Sequence, residues 1–169
     1  MTVVTMLLLG SVAVVVPLLS WRMPAWLTAS FASVLLSSAA IAAAFTHKVH
    51  GVGFAFAAVL SVLAAAVGGI KIAPFAFHLA RRRGTPADGS DLPQPLQGGL
   101  VIGLLERVAI SVAILAHWPE GIAIVMAVKG LARYPELRDP KASEQFIIGT
   151  FASVLWAIAA GAIGRGLLS

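Results

Sequence analysis

The chain divides into six apolar runs, about 3–20, 24–46, 51–79, 98–116, 118–134 and 140–166, and one polar stretch from Arg81 to Gln97. A helix that crosses the ~30 Å hydrocarbon core of a bilayer needs ~20 apolar residues, with a range of ~17–25. Six such runs in one chain predict an all-α fold, a polytopic transmembrane helical bundle of about six helices. Residues 1–169 then form a single transmembrane domain. Composition points the same way: 59% of the residues are apolar and 11% charged, against about 45–50% and about 25% in an ordinary soluble domain. Mean hydropathy is +0.95. The fifth run lies near the lower length limit for a span.

Local signals mark the boundaries. The first run has neither the positive leading region nor the small-residue cleavage site of a secretory signal, which predicts a retained helix. Pro24, Pro119 and Pro140 suit a first helical position, where a missing N–H costs nothing. Asp139 suits the N-cap before Pro140, and Glu120 suits the positive end of its helix. Pro74, following Gly68 and Gly69, predicts a kink in the third run. That run also carries Gly53, Ala57, Ser61, Ala65, Gly69 and Ala73 at four-residue spacing, and the sixth carries Gly149, Ser153, Ala157 and Gly161. Small residues at this spacing let helices approach closely in lipid, where apolar bulk gives no advantage. The stripes suit either packing within the chain or contact between copies.

Net charge is +5 and the pI about 10.5. The basic residues cluster at the ends of apolar runs, with no basic stripe interleaved with aromatics, which argues against nucleic acid as a partner. Arg22, Arg81, Arg82, Arg83, Arg138 and Lys141 follow the odd-numbered runs, whereas Lys48 and Arg165 lie on the opposite side. Positive-inside counting predicts a multi-pass cell-membrane protein with loop 80–97 cytoplasmic and both termini external. Trp21, Trp26 and Trp118 suit the interfacial belt.

Five charges fall where the pattern has no room for them. Glu106 and Arg107 lie eight or nine residues into the fourth run, ~13 Å deep. Lys129 and Arg133 stand one turn apart near the end of the fifth, and Glu144 lies in the opening turns of the sixth. An intramembrane charge costs at least ~2.5–3.5 kcal/mol on insertion scales, so such residues face the bundle interior and find partners. Short connections make runs four to six antiparallel neighbours. Depth then pairs Lys129 with Glu106 and sets Arg133 level with Glu144. Arg107 falls on the face of Gly99 and Gly103. Three bases against two acids leave one cation over, so Glu106, Arg107, Lys129, Arg133 and Glu144 form a candidate binding site.

Three blocks, Gly103-Leu104-Leu105-Glu106-Arg107, Ala127 through Tyr134, and Glu144-Gln145-Phe146-Ile147-Ile148-Gly149-Thr150, carry a further signal. Over residues 98–168 the chain resembles an uncharacterised family of prokaryotic integral membrane proteins with a domain of unknown function. The family pattern is G-x-x-E-R, then K-x-x-x-R, then a Glu-led block ending in Gly-Thr, with Gln145 as a small departure. The resemblance implies a shared polar centre and no particular reaction.

The chain has no cysteine and no asparagine, which excludes disulfides, thiolate chemistry and N-glycosylation. It lacks the H-E-x-x-H, G-x-S-x-G and Walker A signatures. His47 and His50, like His78 and His117, sit at helix ends and make no metal site, and no cofactor is expected. Two classes of function remain open. The first binds or translocates an anion, a proton or an anionic lipid headgroup, with membrane lipids, anionic phospholipid among them, as partners and a homo-oligomer expected. The second is a non-catalytic accessory or scaffold subunit of a larger membrane complex. A membrane enzyme acting on lipid phosphate, with Glu106 or Glu144 as general base, is the weaker third reading.

Overall fold

The computed structural model describes residues 2–46, 52–81 and 99–168. They form seven α-helices: α1 (Thr2–Ser20), α2 (Ala25–Ala44), α3 (Val52–Gly68), α4 (Ile72–Arg81), α5 (Gly99–Leu115), α6 (Glu120–Ala132) and α7 (Pro140–Leu168). Short 3₁₀ turns at Gly69–Lys71 and Glu136–Arg138 link α3 to α4 and precede α7. There is no strand among the described residues, so the fold is all-α. His47, His50, Lys48 and nearly all of loop 80–97 lie outside the described residues.

Four stretches are long and apolar enough to cross a membrane: Thr2–Leu19, Ala25–Ala44, Val52–Ala80 and Ala142–Leu168. Their outer faces carry exposed Leu7, Leu18, Val34, Phe56, Phe151 and Leu155, a surface that water disfavours and lipid accepts. Hydroxyls within the spans are satisfied locally: Thr28 donates to the Ala25 carbonyl, Ser33 to Ala29 and Ser61 to Ala57, the usual backward bond of Ser and Thr in an apolar helix. Helices α5 and α6 are shorter than their apolar runs, and only α6 falls below the ~17 residues a span needs. Helix α5 has 17 residues and α6 has 13, and 13 residues rise only ~20 Å. Turn residues at 116–119 and 133–139 take up the rest of runs four and five.

Helices α3 and α7 form the centre, with α3 touching α1, α5 and α7, and α7 touching α2, α3, α4 and α5. Most of both small-residue stripes is buried here, within the chain. Ala57, Ser61, Ala65 and Gly69 on α3 and its turn, and Gly149, Ser153, Ala157 and Gly161 on α7, are all buried. A Cβ on Gly164 would collide with Ser61, and one on Gly149 would stand 2.6 Å from the Phe77 ring. The third run is interrupted where a kink is expected. Pro74 has no N–H to give the Ile70 carbonyl and its ring crowds that oxygen. The chain passes through the 3₁₀ turn at Gly69–Lys71 just before it. Non-helical backbone at membrane depth is tolerated where protein covers it, and Gly68 and Gly69 are buried.

Candidate functional site

The hairpin of α5 and α6 positions the first pair of charges. Helix α5 closes in a Schellman motif: the Trp118 N–H bonds the Ala113 carbonyl at 2.9 Å and the His117 N–H bonds Ile114 at 3.2 Å. His117 takes the left-handed conformation this motif requires, with φ of 58°, a position usually held by glycine. Trp118 then lies over Gly121, where a Cβ would meet its ring at 2.7 Å. Glu106 stands nine residues before Leu115, where α5 ends, and Lys129 nine residues after Glu120, where α6 begins. Equal distances from the turn bring the two level across the hairpin. The Lys129 ammonium donates to Oε2 of Glu106, with side chains 18% and 13% exposed.

Arg133 is one turn further along the chain. Its guanidinium lies 5.8 Å from the Phe146 ring centroid, and Lys129 Nζ lies 5.9 Å from the same ring. Cations within ~6 Å of a ring are drawn to the negative face of its π system. One aromatic side chain of α7 thus gathers two cations, Lys129 of α6 and Arg133, which caps that helix. Phe146 lies within the quoted sequence blocks but carries no charge, so charge counting alone passed over it.

Arg107 faces another way. Successive helical residues point ~100° apart, so Glu106 meets α6 while Arg107 enters the middle of the bundle, 5% exposed. Its Nε donates to the Ala66 carbonyl at 2.8 Å, and Nη1 donates to the Ser153 hydroxyl at 3.3 Å. Trp156 Nε1 donates to the Ala64 carbonyl at 3.1 Å. Side chains from α5 and α7 therefore bond the last turn of α3 just before its break. Gly69 makes the room: a Cβ there would stand 2.7 Å from both Arg107 Cδ and Trp156 Cδ1. Gly103, one turn before Arg107, leaves its guanidinium clear, with Nη1 3.4 Å from where a Cβ would sit. No fully buried side-chain nitrogen or oxygen among the described residues lacks a partner.

The five charges are thus divided. Lys129 and Arg133 come together at Phe146, and Glu106 joins them through Lys129. Arg107 is adjacent in sequence but bonds α3 and α7 through neutral oxygens. Glu144 is exposed and lines a surface cleft with Arg138, so the expected level match with Arg133 produces no ion pair between them. The cause is rotational: Phe146 turns toward α6, which leaves Glu144, two residues earlier, on a different face of α7. No group of three or more His, Asp or Glu side chains among the described residues is placed to hold a metal. The chain matches no family model, no curated protein and no solved structure.

Proposed function

We infer that the protein binds an anionic group, of the phosphate headgroup type, at the cationic cluster where α6 meets α7. The observation that carries this reading is the convergence of Lys129 and Arg133 on the Phe146 ring. Lys129 is paired there with Glu106. Guanidinium grips a phosphate with two parallel hydrogen bonds, and ammonium serves as a point charge. A basic pocket between helices at the cytoplasmic side is where anionic headgroups bind. The bilayer placement belongs to the same reading: a multi-pass protein with loop 80–97 in the cytoplasm and both termini outside.

Ligands that bind the native state raise its stability by mass action. Phosphatidylglycerol added to protein in phosphatidylcholine nanodiscs should raise the melting temperature of wild type. Lys129→Gln/Arg133→Gln should fold and lose most of that gain. An equal gain in the double variant removes the cluster as the site. A second reading, an accessory subunit in which charge fixes helix packing, is favoured by Arg107, whose bonds all close within the chain.

A further inference from the structure

A cleft of about 440 Å³ opens at the N-terminal end of α7. Its polar rim is Arg138, Ser143 and Glu144, and its apolar floor is Leu137, Ile147 and Ile148. Residues 143 and 144 stand one helical turn before 147 and 148, so the cleft grades from polar to apolar along one face of α7. Ser143 and Glu144 fall in the opening turn of the stretch Ala142–Leu168, which is long and apolar enough to cross a membrane, and Arg138 lies just before it.

Among the described residues the rim holds one cation and one anion that do not bridge each other. Arg138 lies with its guanidinium 5.8 Å from the Tyr134 ring centroid, and Glu144 is exposed to the cleft. Two opposite charges on one rim, held apart, match a ligand with opposite charges of its own. The volume falls within the usual ~300–1,000 Å³ of small-molecule sites. The opening turn of α7, beginning at Pro140, adds the positive end of a 29-residue helix beside Arg138 and the Ser143 hydroxyl, and that end favours an anion.

We propose that this cleft binds the zwitterionic headgroup of a phosphoethanolamine lipid. The phosphate sits at Arg138 and Ser143, the primary ammonium on Glu144, and the acyl chains run down past Ile147 and Ile148. A primary ammonium donates three hydrogen bonds, which Glu144 accepts. A quaternary choline donates none and is recognised instead by aromatic faces, so the cleft prefers ethanolamine to choline. The site is separate from the cluster at Phe146 and does not depend on it.

The test is lipid retention by native mass spectrometry, with full-length protein in nanodiscs of phosphatidylcholine containing equal shares of phosphatidylethanolamine and phosphatidylglycerol. Wild type should retain phosphatidylethanolamine over phosphatidylcholine. Glu144→Gln should reduce that preference about tenfold, the loss of one charge-assisted hydrogen bond, and leave phosphatidylglycerol retention unchanged. Arg138→Gln should weaken both zwitterionic lipids together. N-methylation of the headgroup gives a readout on wild type that needs no variant: retention should fall with each methyl added. Soluble glycerophosphoethanolamine should compete weakly, because it lacks the acyl chains. Equal retention across the methylation series, or an unchanged preference in Glu144→Gln, overturns the proposal. Lys129→Gln/Arg133→Gln should keep the ethanolamine preference, which separates this site from the anionic one.

Discussion

The Arg107 guanidinium donates through Nε to the Ala66 carbonyl at 2.8 Å, tying the middle of α5 to the last turn of α3 where that helix breaks. The bond joins two features that are costly alone, a buried cation and an interrupted transmembrane stretch. A hydrogen bond to a charged group contributes about 1.5–3 kcal/mol, and an orphaned buried acceptor costs a comparable amount.

Arg107→Ala should therefore lower stability by more than ~2 kcal/mol, since it leaves the Ala66 carbonyl and Ser153 hydroxyl without their guanidinium donor. Arg107→Lys keeps the charge but lacks the fork that reaches α3 and α7 together, and should recover only part of the loss. Thermal unfolding of the purified variants in detergent measures both. Full recovery by lysine would mean that charge alone, without geometry, is what the position supplies.

Gly69 and Gly130 should respond in opposite directions to alanine. A Cβ on Gly69 meets Arg107 Cδ and Trp156 Cδ1 at 2.7 Å, whereas one on Gly130 meets nothing within 4 Å. Gly69→Ala should cost about 1–3 kcal/mol through overpacking. Gly130→Ala, within α6, should stabilise by about 0.5–1 kcal/mol. The same unfolding assay compares them, and equal effects would remove the close approach at the break.

Glu106→Ala should harm the protein more than Glu120→Ala. Glu106 is largely buried and holds Lys129, with side chains 13% and 18% exposed, whereas Glu120 is exposed at the start of α6. Removing one member of a largely buried pair costs up to ~3–5 kcal/mol, and a solvent-exposed charge is worth ~0–1 kcal/mol. A double-mutant cycle with Lys129→Ala should show coupling of about 0.5–3 kcal/mol. Additive single effects would mean that the pair is energetically idle.

His117→Gly should stabilise the α5–α6 hairpin by about 1 kcal/mol, because a residue with φ of 58° pays a steric penalty that glycine avoids. The gain should appear as a higher melting temperature with the lipid response unchanged.

Much of this arrangement is legible in the sequence. The six apolar runs correspond closely to helix positions, because hydrophobic length reports helices directly. The break before Pro74 follows from the missing N–H. Lys129 meets Glu106 because a short turn makes residues equidistant from it neighbours. The partners of Arg107 were hidden, since a backbone carbonyl has no sequence signature and Ser153 read only as a small packing residue. The level match of Glu144 with Arg133 gives no ion pair between them, because depth along a helix is set by sequence, while rotation about its axis is set by packing. Helices α5 and α6 came out shorter than their apolar runs, since composition does not separate the last helical turn from an apolar connecting turn.

Loop 80–97 is expected in the cytoplasm, and a chain without native thiols suits cysteine labelling. A cysteine introduced at Gly89 should resist impermeant reagent in whole cells and react after permeabilisation. Labelling in intact cells would invert the placement.

The most direct measurement is a density map of the protein in nanodiscs containing phosphatidylglycerol. A phosphate headgroup should stand within hydrogen-bond reach of the Lys129 ammonium or the Arg133 guanidinium, beside the Phe146 ring. A map with no headgroup in contact with either cation would contradict anion binding there and leave the accessory-subunit reading in its place.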